Sequence, residues 1–132
     1  WQYPYLSVCT TSTHDISSMR GWWEENRNDS AFYYYQVLHW GGEVPQQLSA
    51  ELARAIIEMH LQSPSMWCII PIQDIAAMDK EIPKLTPAQE RINEPGVQHH
   101  YWRYRVPFRI DKLLEDHSVH NQLKKIIDST GR

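Results

Sequence analysis

The chain has 132 residues, of which 42% are hydrophobic and 22% charged, as in ordinary folded domains. A net charge of -3 without a basic stripe argues against a nucleic-acid partner. The apolar runs are far shorter than the roughly 20 residues that span a bilayer, so no membrane partner is expected. Cys9 and Cys68 lie in apolar runs, where unpaired cysteines behave as small hydrophobes. We therefore expect a reduced, cytoplasmic setting, although two neighbouring strands could bring the thiols together.

The N-terminal part predicts a strand, a polar loop and a short helix. Residues 5–10 are rich in β-forming side chains, and the polar residues 11–15 are typical of a loop at a strand end. A helix follows, with Ser17 or Ser18 as its cap, and it is interrupted from Asn26 onward.

Two further helices are predicted before the next strand. The first covers residues 30–38, with Ser30 as its cap, and ends at Gly41 and Gly42. The second is capped by Ser49. Its apolar residues recur at helical spacing and form one buried stripe, namely Leu52, Ala55, Ile56 and Met59.

The continuous apolar run 66–70 predicts a strand buried on both faces, as in a parallel sheet, and Pro71 should end it. Trp67 on this strand and Trp22 on the first helix are both predicted to be buried. Strand, helices and strand in this order indicate a β/α unit.

The C-terminal part predicts one loop and one helix. Residues 73–96 contain several prolines around a short helical piece at 74–80 and are mostly an ordered loop. Residues 101–110 are aromatic and arginine-rich, and residues 118–127 form an amphipathic helix.

Four stretches in a fixed order resemble one enzyme family. They are STHD at 12–15 followed by SSMRGWW at 17–23, SPSMW at 63–67, PIQD at 71–74, and INEPG at 92–96 with YWRYR at 101–105. In this order they resemble the amylomaltases, which are the 4-alpha-glucanotransferases of glycoside hydrolase family 77. The likeness is greatest to the plant cytosolic disproportionating enzyme type and its bacterial relatives.

The resemblance implies a fold class and a partner. The fold is α/β, and residues 1–132 form a single segment from the C-terminal part of a (β/α)8 barrel. This segment holds about the last two strands with their helices, and is helix-rich as an isolated piece. Its implied partner is the remainder of the barrel, whose C-terminal face carries the active site.

The resemblance also implies the chemistry. The family transfers 1,4-alpha-glucan segments between maltooligosaccharides or glucans by a retaining double displacement, and it needs no cofactor and no metal. By motif, Asp15 is the transition-state-stabilising carboxylate, and His14 contacts the same sugar. The further candidates for substrate binding are Gln73, Asp74, Asn93 and Trp102.

Several alternatives remain open at this point. Asp15 could cap the following helix, and Gln73 and Asp74 could hold their loop together instead of lining a pocket. The scattered histidines, including His60, have no spacing typical of a metal site. The whole chain could also be a non-catalytic glucan-binding or protein-interaction module.

The family's nucleophile and acid/base motifs find no match in the chain, because in the resemblance they belong to earlier strands. We therefore expect the 132 residues to be inactive alone. Two barrel strands on their own also expose unpaired edges. For this reason we expect the isolated piece to self-associate or to be poorly stable.

Overall fold

The structure, a computed structural model, describes residues 3–82, 85–111 and 118–132, and it is helix-rich as predicted. The elements are, in order, β1 (Val8–Thr10), α1 (Met19–Glu25), α2 (Arg27–Phe32), a π-helical turn (Tyr33–Val37), α3 (Ala50–Leu61), β2 (Trp67–Ile69), α4 (Ile72–Ala77), α5 (Pro87–Glu90) and α6 (Ser118–Thr130).

The strands β1 and β2 pair in parallel, with Val8 opposite Trp67 and Cys9 opposite Cys68. Parallel neighbours need a long crossover, which α1 to α3 provide here, so the predicted β/α unit is confirmed. Each strand has three residues and is shorter than predicted. The late start of β1 goes with a turn before it, in which the Ser7 amide donates to the Tyr5 carbonyl.

Helix α3 is the centre of the core. Ser49 caps it as predicted, and its hydroxyl accepts a hydrogen bond from the Leu52 amide at 3.2 Å. Around α3 pack α4, α6 and the fully buried Trp23, whose indole nitrogen donates to the Pro45 carbonyl at 3.0 Å. The buried stripe is rotated from the predicted one, since α3 has neighbours on two sides. It comprises Leu52, Ala53, Ile56, Ile57 and Leu61.

The boundaries predicted for the second helix are wrong. Asn26 (φ -115°, ψ 67°) ends α1, and α2 begins directly at Arg27. Ser30 is not a cap but a buried helical residue, whose hydroxyl donates to the Arg27 carbonyl. The helix ends through the π-helical turn and His39, which has a φ of 55°, before the predicted glycines are reached.

The prediction that β2 is buried on both faces is also wrong. Trp67 and Ile69 are 57% and 55% exposed, and only Cys68 between them points toward the core. One face of the sheet lies against the helical layer, where the Cys9 thiol donates to the His60 carbonyl of α3 and Cys68 packs on the core, whereas the described residues leave the other face bare. Trp67 lies on that bare face, so its predicted burial is wrong, while Trp22 is half-buried against the core.

Candidate functional site

The loop between β1 and α1 carries the Thr-His-Asp motif. Its far end is fixed by Ser18, whose hydroxyl accepts a hydrogen bond from the Gly21 amide and caps α1. Because Ser18 is the cap, the alternative that Asp15 caps this helix is wrong. The Asp15 carboxylate is 52% exposed and is free to act outside the helix.

Four of the predicted site residues lie together, and we call them the Asp15 cluster: His14, Asp15, Asn93 and Trp102. The Asn93 side-chain amide donates to Asp15 Oδ1 at 2.6 Å, and its backbone amide donates to the His14 carbonyl at 3.1 Å. His14 Nε2 lies 3.3 Å from Asp15 Oδ2. The ring centroids of His14 and Trp102 are 4.8 Å apart.

The Asp15 cluster is built to present a carboxylate to solvent. A carboxylate has about four acceptor positions, and the contacts to Asn93 and His14 leave part of this capacity open. The indole of Trp102 is exposed beside the cluster. An oriented carboxylate next to an aromatic face can accept hydrogen bonds from hydroxyl groups and contact an apolar ring face at the same time.

Gln73 and Asp74 do not join the cluster. They lie in α4, which begins two residues before the predicted helix start, and both are buried. Asp74 accepts hydrogen bonds from the Thr11 and Ser12 hydroxyls at 2.5 and 2.7 Å, and Gln73 Nε2 lies 3.5 Å from the Glu90 carbonyl oxygen. Of the two alternatives for this pair, the contacts favour holding the loop.

Glu90 is a site residue that the sequence reasoning missed. Its carboxylate accepts hydrogen bonds from the Ser18 hydroxyl at 2.8 Å and from Arg20 at 2.6 and 3.2 Å. Helix α5, which carries Glu90, has a capping box formed by Thr86 and Gln89. The Thr-x-x-Gln spacing of the capping box is visible in the sequence and predicts the helix. The partner of Glu90 cannot be predicted in this way, because Arg20 lies 70 residues away.

A cleft of about 440 Å³ opens next to Asp15. Its walls are mostly apolar and include Trp22, Tyr33 and Ile56. Burial raises the pKa of the Tyr33 phenol, and the Tyr33 hydroxyl contacts Met59 Sδ. Asp15 itself lines this cleft, together with the polar side chains of Thr11, Ser17 and His60, so the cleft adjoins the Asp15 cluster.

Other classes of site find no support within residues 3–82, 85–111 and 118–132. In these ranges no three His, Cys, Asp or Glu side chains come together to form a metal site. No helix of the same ranges has the length and apolar character that crossing a membrane requires. Cys9 and Cys68 are both free.

Comparison with known proteins identifies the family. Residues 1–111 match the family model described as 4-alpha-glucanotransferase, glycoside hydrolase family 77. The chain belongs to this family. It is 37% identical to 4-alpha-glucanotransferase DPE2 of Oryza sativa subsp. japonica over 99% of its length, which is 14% of that relative. It is 33% identical to the 4-alpha-glucanotransferase of Chlamydia trachomatis serovar D over 97% of its length and 23% of that relative.

The structure is similar to the amylomaltase from Streptococcus agalactiae in complex with acarbose. The TM-score is 0.71 at 20% sequence identity, over 98% of this chain and 23% of that one. At this identity the likeness concerns the fold. The chain thus spans about a seventh to a quarter of the length of the relatives that it matches.

Proposed function

We propose that this chain is the C-terminal barrel segment of a 4-alpha-glucanotransferase, which transfers 1,4-alpha-glucan segments between maltooligosaccharides or glucans. One observation carries the proposal: Asp15 stands exposed in the loop after a parallel strand, and Asn93 and His14 hold its carboxylate. Family membership supports the same reaction class. A cytoplasmic location stays part of the proposal.

In this function Asp15 stabilises the transition state. Retaining transfer passes through an oxocarbenium-like state in which contacts to the sugar hydroxyls become stronger. An oriented carboxylate can accept those hydroxyl hydrogen bonds without reorganising at the moment of reaction. A group aimed at the developing charge in this way contributes about 2.7–4 kcal/mol.

His14 and Trp102 complete the proposed sugar contact. The His14 ring lies between the Asp15 carboxylate and the Trp102 indole, so one sugar can contact all three. Asn93 orients Asp15 and does not need to touch the substrate. The nucleophile and the acid/base come from the remainder of the barrel, so the 132 residues are inactive alone.

The test is a chimera. The matching 129-residue region of the Chlamydia trachomatis enzyme is replaced by this chain, and glucose release from maltotriose is followed. We expect transfer by the chimera and a loss of roughly 10²–10³-fold in Asp15→Asn. Asp29→Asn, which changes an exposed aspartate on α2, should stay close to the unmodified chimera.

Two results would contradict the proposal. One is a folded chimera whose activity survives Asp15→Asn, and the other is a folded chimera without any transfer. If the chain alone binds maltooligosaccharides through Trp102 and the folded chimera shows no transfer, the chain is better described as a glucan-binding module. Circular dichroism of each variant establishes that it is folded.

A further inference from the structure

We infer that Asp74 is a positioning residue, which holds the loop of Asp15 in its working geometry without touching the substrate. Its carboxylate lies behind the loop, on the first turn of α4, and is 1% exposed. The inference rests on the proposed function only in regarding Asp15 as catalytic. The positioning itself is a property of this chain.

Asp74 accepts hydrogen bonds from both ends of the loop between β1 and α1. Oδ2 accepts hydrogen bonds from the Thr11 hydroxyl at 2.5 Å and from the Ser12 hydroxyl at 2.7 Å, where the chain leaves β1. Oδ1 accepts a hydrogen bond from the Met19 backbone amide at 2.9 Å, where α1 begins. The two oxygens of one side chain therefore fix the distance between the start and the end of the loop.

Physical chemistry explains why a carboxylate is needed at this point. The first amides of a helix have no partner within the helix, and the Met19 amide is one of them. The buried Ser12 hydroxyl also needs an acceptor, because a buried donor without one is destabilising. A carboxylate only accepts, and it can serve all three donors at once. An apolar residue would leave the buried Ser12 hydroxyl and Met19 amide unpaired.

The effect on Asp15 is indirect and geometric. Asp15 lies between the two anchored ends, and its carboxylate reaches Asn93, which belongs to a different segment. If the ends separate, the carboxylate moves relative to Asn93 and to the sugar. A displacement of about 1 Å at a catalytic group reduces a rate by as much as about 10²-fold.

The test uses the complete 132-residue chain and does not depend on activity. The side-chain amide of Asn93 reports the position of the Asp15 carboxylate, and its resonance is followed in ¹⁵N-labelled protein. The Asp15→Asn variant gives the reference resonance for the broken contact. We expect Asp74→Ala to move the Asn93 resonance to that reference. Asp74→Asn should bring it back toward the unmodified chain, because an amide can accept from Met19 and donate to the two hydroxyls.

Asp79→Ala is the matched control for Asp74→Ala. Asp79 is also a buried carboxylate, two residues after the end of α4, but its Oδ1 accepts from the amides of Glu81 and Ile82 and its Oδ2 from the Ser118 hydroxyl, none of which belongs to the loop. An unmoved Asn93 resonance in folded Asp74→Ala, or an equal shift in folded Asp79→Ala, would overturn the inference. If Asp74→Ala does not fold, Thr11→Val with Ser12→Ala removes the two bonds to Oδ2 from the loop side and leaves the Met19 bond, and a shift in the same direction is expected there. A failed chimera would leave this test unaffected.

Discussion

The two faces of the short sheet differ although they belong to the same six residues. On one face, Cys9 and Cys68 lie against the helical layer, and the Cys9 thiol donates to the His60 carbonyl at the end of α3. On the other face, Val8, Trp67 and Ile69 are more than half exposed. Side chains alternate along a strand, so one apolar run supplies both faces.

The difference between the two faces shows which of them is packed by a segment close to the strands in sequence. The covered face is packed by the crossover helix that directly precedes β2, whereas the bare face needs elements outside the described residues. A run of apolar residues therefore predicts that both faces of the strand are more stable when buried. It does not predict that this chain contains the elements that bury both faces.

The largest effect is expected from matched isoleucine substitutions on the two sides. Ile57→Ala on α3 removes a side chain that is 0% exposed and should lower the free energy of unfolding by about 2–5 kcal/mol. Ile69→Ala on the bare face should change it by no more than about 0.5 kcal/mol. Urea unfolding followed by circular dichroism checks both. Equal losses would mean that the bare face is covered in solution.

The second comparison concerns ion pairs. Arg20→Met leaves Glu90 without its partner in a site where the two side chains are only 12% and 9% exposed. We expect a loss of about 2 kcal/mol in unfolding free energy, somewhat below the value for fully buried pairs. Lys124→Met breaks the exposed pair with Asp128 on α6 and should change little. A similar loss in both variants would contradict the expectation that the buried Arg20–Glu90 pair stabilises the fold more than the exposed pair does.

The third prediction concerns association through the bare face. Exposed apolar patches and open strand edges favour contact between copies. We expect the chain to associate with rising concentration in sedimentation velocity, and Trp67→Lys with Ile69→Lys to shift it toward the monomer. Asn121→Lys, which adds charge at an exposed position on α6, is the control. The prediction would be refuted if the unmodified chain sedimented as a monomer at all concentrations and unfolded cooperatively on heating.

The last prediction concerns a thiol on the covered face. Burial, and then the hydrogen bond with Cys9, raise the pKa of the Cys68 thiol to about 12. A raised pKa keeps the thiol protonated, so the reactive thiolate forms only at higher pH. Alkylation of Cys68, measured by mass spectrometry, should rise about tenfold per pH unit from about pH 8 to 11 without a plateau. In urea the alkylation rate should reach its plateau near the ordinary thiol pKa. A plateau at the same pH in the folded chain would disprove the raised pKa.

Patterns within one segment of sequence predicted much of the fold. The parallel pairing of β1 and β2, the Ser49 cap and the C-terminal helix followed from local signals, namely apolar runs, spacing and cap residues. The start of α2 was missed because Ser30 has the residue type of a cap while its hydroxyl bonds inside the helix. The burial of β2 on both faces was predicted wrongly because it depends on neighbouring elements, which the sequence pattern of the strand does not show.

The candidate site divides in a similar way. The motif indicated Asp15 and His14, and the resemblance added Asn93 and Trp102, which the structure brings together. The same resemblance suggested Gln73 and Asp74 as sugar contacts, but polar residue types alone do not reveal which way a side chain turns. Helix α4 begins two residues earlier than predicted, so Gln73 and Asp74 both lie inside its first turn, where their side chains are buried.

The contact between Asn93 and Asp15 also sets an order in time. Asn93 follows Asp15 by 78 residues, so the ribosome adds it roughly 4–16 s later at ordinary rates of synthesis. Until then the loop has neither the Asn93 amide nor, for most of that interval, the Asp74 carboxylate. We expect the growing chain to carry an unformed site from the moment Asp15 is added until Asn93 has been added and has reached the loop.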